Sequence, residues 1–199
     1  MNLSSSKTKI NLMRAFAGES MARNRYNMAA SQAKTDGHYA IASLFDYTAK
    51  QEQAHATVFY NHLKELNDTN FDIDAAYPVN VYDNTLKHLE AAVKNEYEEY
   101  ETIYQNFGDI AKEEGFNTIA NSFYLISNIE RGHGDRFMLF ADALKNSTLY
   151  KCESDTIWIC TNCGHIHTGP SAPMSCPVCS HAQGYFVNDG FKASLPVLL

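Results

Sequence analysis

A Glu-x-x-His spacing occurs twice in the chain, as Glu52 with His55 and as Glu130 with His133. Each pair interrupts a set of large apolar residues that recur every three or four positions, which is the period of one helix face. A carboxylate buried without a partner on such a face costs several kcal/mol. Each pair therefore needs a compensating positive charge nearby. Around the second pair, the face consists of Ile119, Phe123, Ile126, Glu130, His133, Phe137, Phe140 and Leu144.

Three further glutamates lie on the inward faces of two other predicted helices. Glu19 is in the middle of the first helix, and Glu96 is in the middle of the third, with Glu99 three residues beyond it. Glu19 precedes Glu52 by 33 residues, and Glu96 precedes Glu130 by 34. The similar spacing indicates that the region contains two copies of one helix pair. Such a repeat would bring the four helix midpoints together around a pseudo-twofold axis.

The pattern as a whole predicts a site for two metal ions. Carboxylate-rich sites with some imidazole suit iron or manganese, and this arrangement of Glu and Glu-x-x-His is typical of di-iron carboxylate bundles. One Glu-x-x-His match would be weak evidence, because both residues are common on helix surfaces. Two matches on apolar faces, each with an inward Glu at similar spacing, favour metal ligands. The predicted ligands are Glu19, Glu52, His55, Glu96, Glu99, Glu130 and His133.

Two tyrosines are candidate catalytic residues beside this site. Tyr26 lies on the inward face of the first predicted helix, and Tyr104 lies in the third. Their hydroxyl groups can donate hydrogen bonds to ligand carboxylates and so orient them. The alternative is that both are ordinary core tyrosines.

Four of the five cysteines form a second candidate metal site. Cys160, Cys163, Cys176 and Cys179 have the spacing C-x2-C-x12-C-x2-C, so two tight turns each present two thiolates. Such a set makes a tetrahedral site that fits either zinc or a single iron. Cys152 lies outside the pattern, and we expect it to act as a small apolar residue.

The elements that position these residues divide the chain into two regions. We expect four long helices over residues 6–35, 38–66, 82–112 and 116–145, with a crossover segment between the second and third. Short strands are expected at Ile157–Ile159 and Tyr185–Val187. The predicted fold is mainly α, with a four-helix bundle over residues 1–147 and a small cysteine-rich domain over residues 148–199.

Length and charge exclude several classes of protein. The 199 residues carry 16 Lys and Arg against 23 Asp and Glu, for a net charge of −7. A chain this acidic is a poor candidate for binding nucleic acid or an anionic membrane. Its apolar runs are too short to span a bilayer. The first residues lack the apolar segment of a secretory signal, so we expect a cytoplasmic location.

The chain resembles the rubrerythrin family over nearly its whole length. The resemblance rests on LMRAFAGESMARNRY around Glu19, KQEQAHA around Glu52, NEYEEYETIY around Glu96 and IERGHGDRF around Glu130. The segment WICTNCGHIHTGPSAPMSCPVC is similar to the rubredoxin-like domain of that family. A ferritin-like bundle with a rubredoxin-like C-terminal domain is the fold that this resemblance implies.

The resemblance also implies a function. It implies a non-haem di-iron centre in the bundle, iron in the four-cysteine site and the reduction of hydrogen peroxide to water. Electrons would come from an external donor, either a rubredoxin or an NAD(P)H-dependent reductase, in a homodimer. In the family, one iron exchanges a carboxylate for a histidine on reduction, and Glu99 and His55 occupy those two positions here.

Two other functions are compatible with parts of the sequence. A ferritin-like ferroxidase that oxidises Fe(II) for storage would use the same bundle ligands. Glu99, which has no counterpart on the first helix, favours the peroxidase instead. The thiolate domain does so too, because its iron could relay electrons to the bundle. In the third interpretation, the C-terminal region is a zinc ribbon that binds a partner.

Overall fold

The helical region follows the predicted pattern closely. A computed structural model describes residues 2–195, apart from the side chains of residues 192 and 193. The long helices within this range are α1 (Lys7–Thr35), α2 (Tyr39–His62), α3 (Thr85–Glu98), α4 (Tyr104–Glu113) and α5 (Asn117–Lys145). A short 3-10 turn at Lys64–Leu66 follows α2. Helix α2 therefore ends at His62, whereas the sequence predicts a helix that continues to residue 66.

The predicted third helix is not uniform. Residues Glu99–Ile103 between α3 and α4 form a π-helical turn, in which the Tyr104 N–H donates to the Glu99 carbonyl oxygen. A continuous α-helix over residues 82–112 was therefore wrong in this detail. Because π-turns insert an extra residue, they change which side chains face the core after them.

Glycines end two of the long helices. Gly37 follows α1 with a φ of +80°, and Gly115 follows α4 with a φ of +88°. This left-handed conformation strains residues that carry a Cβ, so glycine is favoured at both positions. The sharp stops produce the two short connections that the sequence predicts.

The chain divides into two compact units. The first contains the described residues up to Arg25, together with Ala49–Asn80 and Ala92–Asp135. Its core includes Leu12, Phe59 and Phe123, which are fully buried. The second contains Tyr26–Thr48, Val81–Ala91 and the described residues from Arg136 onward.

The second unit contains the cysteine-rich sheet. Strands β1 (Lys151–Cys160), β2 (Ile166–Ser171) and β3 (Phe186–Asn188) form an antiparallel sheet in the order β2-β1-β3. Trp158 is fully buried at its centre and donates from Nε1 to the Gly169 carbonyl oxygen at 2.9 Å. Strand β1 contains the predicted segment Ile157–Ile159. Strand β3 contains Phe186 and Val187 of the predicted segment Tyr185–Val187, whereas Tyr185 lies in a 3-10 turn. The sequence pattern does not predict β2.

Within the same unit, this sheet packs against helix residues. The ring of Tyr185 stacks on that of Tyr39 with centroids 4.2 Å apart. His38 Nδ1 lies 2.8 Å from the Tyr150 hydroxyl oxygen. Among the described residues, no helix has the length and apolar character needed to cross a membrane.

Candidate metal centres

Four helices bring the predicted bundle ligands together in the first unit. Helix α1 supplies Glu19, α2 supplies Glu52 and His55, and α3 supplies Glu96. Helix α5 supplies Glu130 and His133. All six side chains are buried, although four are acidic and two are imidazoles: Glu19, Glu52, His55, Glu96, Glu130 and His133. The sequence pattern placed these polar residues in the core correctly.

The ligand atoms form two groups that share two carboxylates. Glu19 and His55 belong to one group, Glu96 and His133 belong to the other, and Glu52 and Glu130 belong to both. Within each group the ligand atoms lie within 4.8 Å of one another. Two neighbouring groups with shared carboxylates are the arrangement required for two ions bridged by carboxylates.

The shared carboxylates each divide their oxygens between the two imidazoles. Glu130 places Oε1 2.9 Å from His55 Nδ1 and Oε2 2.7 Å from His133 Nδ1. Glu52 places Oε2 3.0 Å from His55 Nδ1 and Oε1 2.9 Å from His133 Nδ1. Adjacent ligands of an octahedral ion with bonds of about 2.1 Å lie about 3 Å apart, so these separations suit a metal ligand shell.

Hydrogen bonds alone do not satisfy this cluster. His133 Nδ1 also lies 3.3 Å from Glu96 Oε2, and the single proton that this nitrogen can carry cannot serve three carboxylates. Among the described residues, several buried atoms of this cluster make no hydrogen bond of acceptable geometry: Glu19 Oε2, Glu52 Oε1, both Glu130 oxygens and His133 Nε2. Buried polar atoms left in this state point to an ion. The residues therefore fit a pair of metal ions.

The cluster also shifts the pKa values of its members. Burial and the neighbouring carboxylates raise the pKa of Glu96 to about 8 and raise that of Glu19 well above its usual range. Burial opposes charge on Glu52, but the close imidazoles of His133 and His55 lower its pKa to about 2. Against the effect of burial, the close carboxylates of Glu130 and Glu52 raise the pKa of His55 to about 9. Without metal, the site therefore holds protons that bound cations would displace.

The two candidate tyrosines have different surroundings. The buried Tyr104 hydroxyl donates to Glu19 Oε1 at 2.6 Å, so it contacts a predicted ligand directly. Tyr26 is buried in the second unit, where its ring packs against Phe45 and Phe137 at centroid distances of 5.9 and 5.1 Å.

Glu99 occupies a distinct position at the start of the π-helical turn. It is half-buried and does not belong to either group of closely spaced ligand atoms. Burial and the charges of Glu96, Glu130 and Glu52 raise the pKa of Glu99 well above its usual range, and Arg25 partly opposes this shift. The π-turn itself has no signal in the sequence, because it depends on how the helix packs.

The four cysteines form a compact sulfur cluster in the second unit. All four sulfur atoms lie within 4.8 Å of one another. Cys160 Sγ is 3.8 Å from Cys179 Sγ, and Cys163 Sγ is 3.6 Å from Cys176 Sγ. Bonds of about 2.3 Å to a tetrahedral ion place sulfur atoms about 3.8 Å apart, so the cluster fits one ion.

Two matching turns build this cluster. The Gly164 N–H donates to the Cys160 carbonyl oxygen at 2.8 Å, and the Ser180 N–H donates to that of Cys176 at 2.8 Å. Gly164 has a φ of +77° and Ser180 a φ of +60°. The sequence singled out only Gly164, because serine gives no comparable signal for this conformation. A backbone hydrogen bond from His181 lowers the pKa of Cys179 to about 6, which favours the thiolate.

Family comparisons match both regions of the chain. The family model for rubrerythrin matches residues 11–141, and that for the rubredoxin-like domain of rubrerythrin matches residues 158–187. The chain belongs to the rubrerythrin family. A rubrerythrin from Clostridium perfringens (strain 13 / Type A) is 40% identical over 186 residues, which cover 93% of this chain and 95% of the relative.

Solved structures support the same fold. Fully reduced, all-ferrous nigerythrin matches with a TM-score of 0.62 and 27% identity over 92% of this chain and 90% of its own. The Desulfovibrio desulfuricans bacterioferritin, solved with its di-iron site in different catalytic states, matches with a TM-score of 0.61. At 24% identity over 74% of this chain and 86% of its own, that likeness concerns the fold alone. This member of the rubrerythrin family thus combines a di-iron carboxylate and histidine site in a ferritin-like bundle with a rubredoxin-like four-cysteine site.

Proposed function

We propose that this protein is a non-haem di-iron peroxidase that reduces hydrogen peroxide to water and defends the cell against oxidative stress. Iron held by the four cysteines would supply the one-electron chemistry that relays electrons to the bundle. The observation that carries the proposal is the division of the Glu52 and Glu130 oxygens between His55 and His133. That arrangement supports two neighbouring metal ions in the bundle. The same chain also carries a four-cysteine site, which suits an iron that accepts and donates one electron.

Each bundle residue has a proposed role. Glu19 and His55 would hold one ion, Glu96 and His133 would hold the other, and Glu52 and Glu130 would contribute to both. Glu99 would be a further ligand, and Glu99 and His55 are the two positions at which the family resemblance implies a change of ligand on reduction. Two bound iron ions supply Lewis-acid and redox chemistry at this point. In the C-terminal region, Cys160, Cys163, Cys176 and Cys179 hold the third iron.

Tyr104 positions Glu19 in this proposal. Burial and the neighbouring Glu19 raise the pKa of Tyr104 well above its usual range, so its hydroxyl keeps its proton. It therefore acts as a hydrogen-bond donor that fixes one carboxylate oxygen and leaves the other free for a metal. Tyr26 is proposed as a second donor on the basis of the sequence pattern.

The remaining partners follow from the family resemblance. The electron donor is a rubredoxin or an NAD(P)H-dependent reductase, the chain functions as a homodimer, and its location is cytoplasmic. The net negative charge of the chain argues against binding to nucleic acid.

Peroxide consumption by the iron-loaded protein tests the proposal. With NADH, a suitable reductase and hydrogen peroxide, we expect continuous turnover. Cys160→Ser should stop this turnover but leave one burst of peroxide reduction when the bundle is first reduced chemically. Cys152→Ser is the matched control, because Cys152 is a free thiol outside the sulfur cluster.

Two results would contradict the proposal. If Cys160→Ser turns over at the rate of Cys152→Ser, the four-cysteine site does not relay electrons. If the wild-type protein consumes oxygen with Fe(II) but does not consume peroxide, the ferroxidase function is the correct one.

A further inference from the structure

A cavity of about 320 Å³ lies beside the bundle site in the first unit. Its inner wall includes Glu99 and Tyr104, and its sides include Ala15, Ile103 and Phe107. The outer wall comes from the segment that connects α2 to α3, including Ala76. The cavity therefore links the predicted ligand Glu99 to the surface along a partly apolar path.

Hydrogen bonds hold the outer wall in place. The Tyr77 hydroxyl donates to the Arg14 carbonyl oxygen at 2.8 Å, and Arg14 Nε donates to the Asp74 carbonyl oxygen at 2.8 Å. Both contacts fasten the connecting segment to α1. The cavity is therefore a preformed feature of this unit.

The size of the cavity exceeds what hydrogen peroxide needs. Sites for small organic molecules range from about 300 to 1,000 Å³, and this cavity falls within that range. Hydrogen peroxide has only two heavy atoms and would fill a small part of it. The apolar side walls would gain from burying hydrocarbon rather than water.

The charges around the cavity favour an uncharged occupant. Two arginines, Arg14 and Arg25, face three acidic residues, Asp74, Glu98 and Glu99, so the wall carries no excess of positive charge. An anionic chain such as a fatty-acid carboxylate would find no net attraction here. A neutral molecule with a compact hydrocarbon group suits this lining better.

We infer that the protein also reduces neutral organic hydroperoxides, with the hydrocarbon group in this cavity and the peroxide group at its inner end beside Glu99 and Tyr104. This inference rests on the proposed peroxidase function. The O–O bond of the hydroperoxide breaks, two electrons and two protons are taken up, and an alcohol and one water are released. The electrons come from the same external reductant that supports hydrogen peroxide reduction.

Binding of an unreactive alcohol tests the cavity independently of turnover. The probe is 2-phenyl-2-propanol, the alcohol formed from cumene hydroperoxide, titrated calorimetrically into the oxidised, iron-loaded protein. Ala76→Phe places a bulky side chain on the cavity wall and should weaken binding at least tenfold. Val79→Phe is the matched control, because Val79 lies on the same segment, is 86% exposed and does not line the cavity.

Turnover of two peroxides tests the substrate class. We expect the wild-type protein to reduce both cumene hydroperoxide and hydrogen peroxide. Ala76→Phe should lower kcat/KM for cumene hydroperoxide at least tenfold more than it lowers that for hydrogen peroxide. Val79→Phe should leave the ratio of the two values within twofold of wild type.

The outcomes separate this inference from the proposed function. Reduction of hydrogen peroxide without reduction of cumene hydroperoxide overturns the inference alone. Equal effects of Ala76→Phe on the two peroxides, or alcohol binding that it does not weaken, also overturn it. Failure to reduce either peroxide overturns the proposed function and the inference together.

Discussion

Replacing Tyr104 by phenylalanine removes one buried hydroxyl that donates to Glu19 Oε1 at 2.6 Å. In the metal-free protein, burial and the charges of Glu130 and Glu52 raise the pKa of Glu19 well above its usual range, which favours a proton on this carboxyl group. When a cation displaces that proton, the same hydroxyl donates to an anion, and its hydrogen bond becomes stronger. The substitution should therefore weaken metal binding more than it weakens folding.

The expected size of this effect follows from the hydrogen bond. Bonds to charged groups contribute about 1.5–3 kcal/mol and those to neutral groups about 0.5–1.5 kcal/mol. The difference of about 1–1.5 kcal/mol corresponds to a loss of about 5- to 10-fold in metal affinity. Groups that support metal ligands show losses of this size or larger when they are removed. Iron affinity of the bundle can be measured by competition with a chelator, while the colour of the four-cysteine iron serves as an internal reference.

Tyr124→Phe is the matched control for this measurement. Tyr124 also donates to a carboxylate, Asp109, at 2.6 Å, but this pair is exposed. The control should leave iron affinity within twofold of wild type. If Tyr104→Phe binds bundle iron as tightly as Tyr124→Phe, Tyr104 does not support a metal ligand.

Three further predictions concern protons and packing. Because the pKa of Glu96 is raised to about 8 and that of His55 to about 9, iron binding to the bundle should strengthen as pH rises from 6 to 9; affinity that does not change with pH in chelator competition would contradict this. The Glu114 carboxylate accepts the Thr8 hydroxyl at 2.6 Å and the N–H groups of Lys7 and Thr8 at 2.9 and 2.8 Å. Its pKa is lowered, since these hydrogen bonds outweigh the effect of burial. It therefore stabilises the fold above its unfolded pKa and loses this effect as pH falls, so Glu114→Gln should cost about 1–2 kcal/mol at pH 7 in urea unfolding and less at low pH. Gly132→Ala should raise the free energy of unfolding by about 0.5–1 kcal/mol, because an added Cβ meets nothing within 4 Å. Gly108→Ala should lower it, because the new Cβ would lie 2.5 Å from the Tyr124 ring; equal stability of the two variants in the same assay would refute this reasoning.

The sequence predicts the bundle well because its ligands break a regular pattern. Polar residues such as Glu52 and Glu130 stand out on faces that are otherwise apolar, and their burial follows from helix periodicity. The cysteine spacing is equally informative, because two short turns can present four thiolates to one ion. Both features depend on the spacing of residues that are close together in the sequence.

Other features of the fold could not be predicted from the spacing of neighbouring residues. The π-turn at Glu99–Ile103 directly precedes Tyr104, whose hydroxyl donates to Glu19, a residue distant in sequence. Strand β2 contains Gly169 and Pro170, which are poor strand formers, and it exists because it pairs with β1. Ser180 takes a left-handed conformation in the turn where its N–H donates to the Cys176 carbonyl oxygen.

Anomalous diffraction at the iron absorption edge tests the central claim most directly. For crystals of the iron-loaded protein, the account predicts two peaks in the bundle, each contacting Glu52 and Glu130, with His55 beside one and His133 beside the other. A third peak should lie among Cys160, Cys163, Cys176 and Cys179. A bundle without iron peaks, or with a single peak that neither shared carboxylate contacts, would contradict the account.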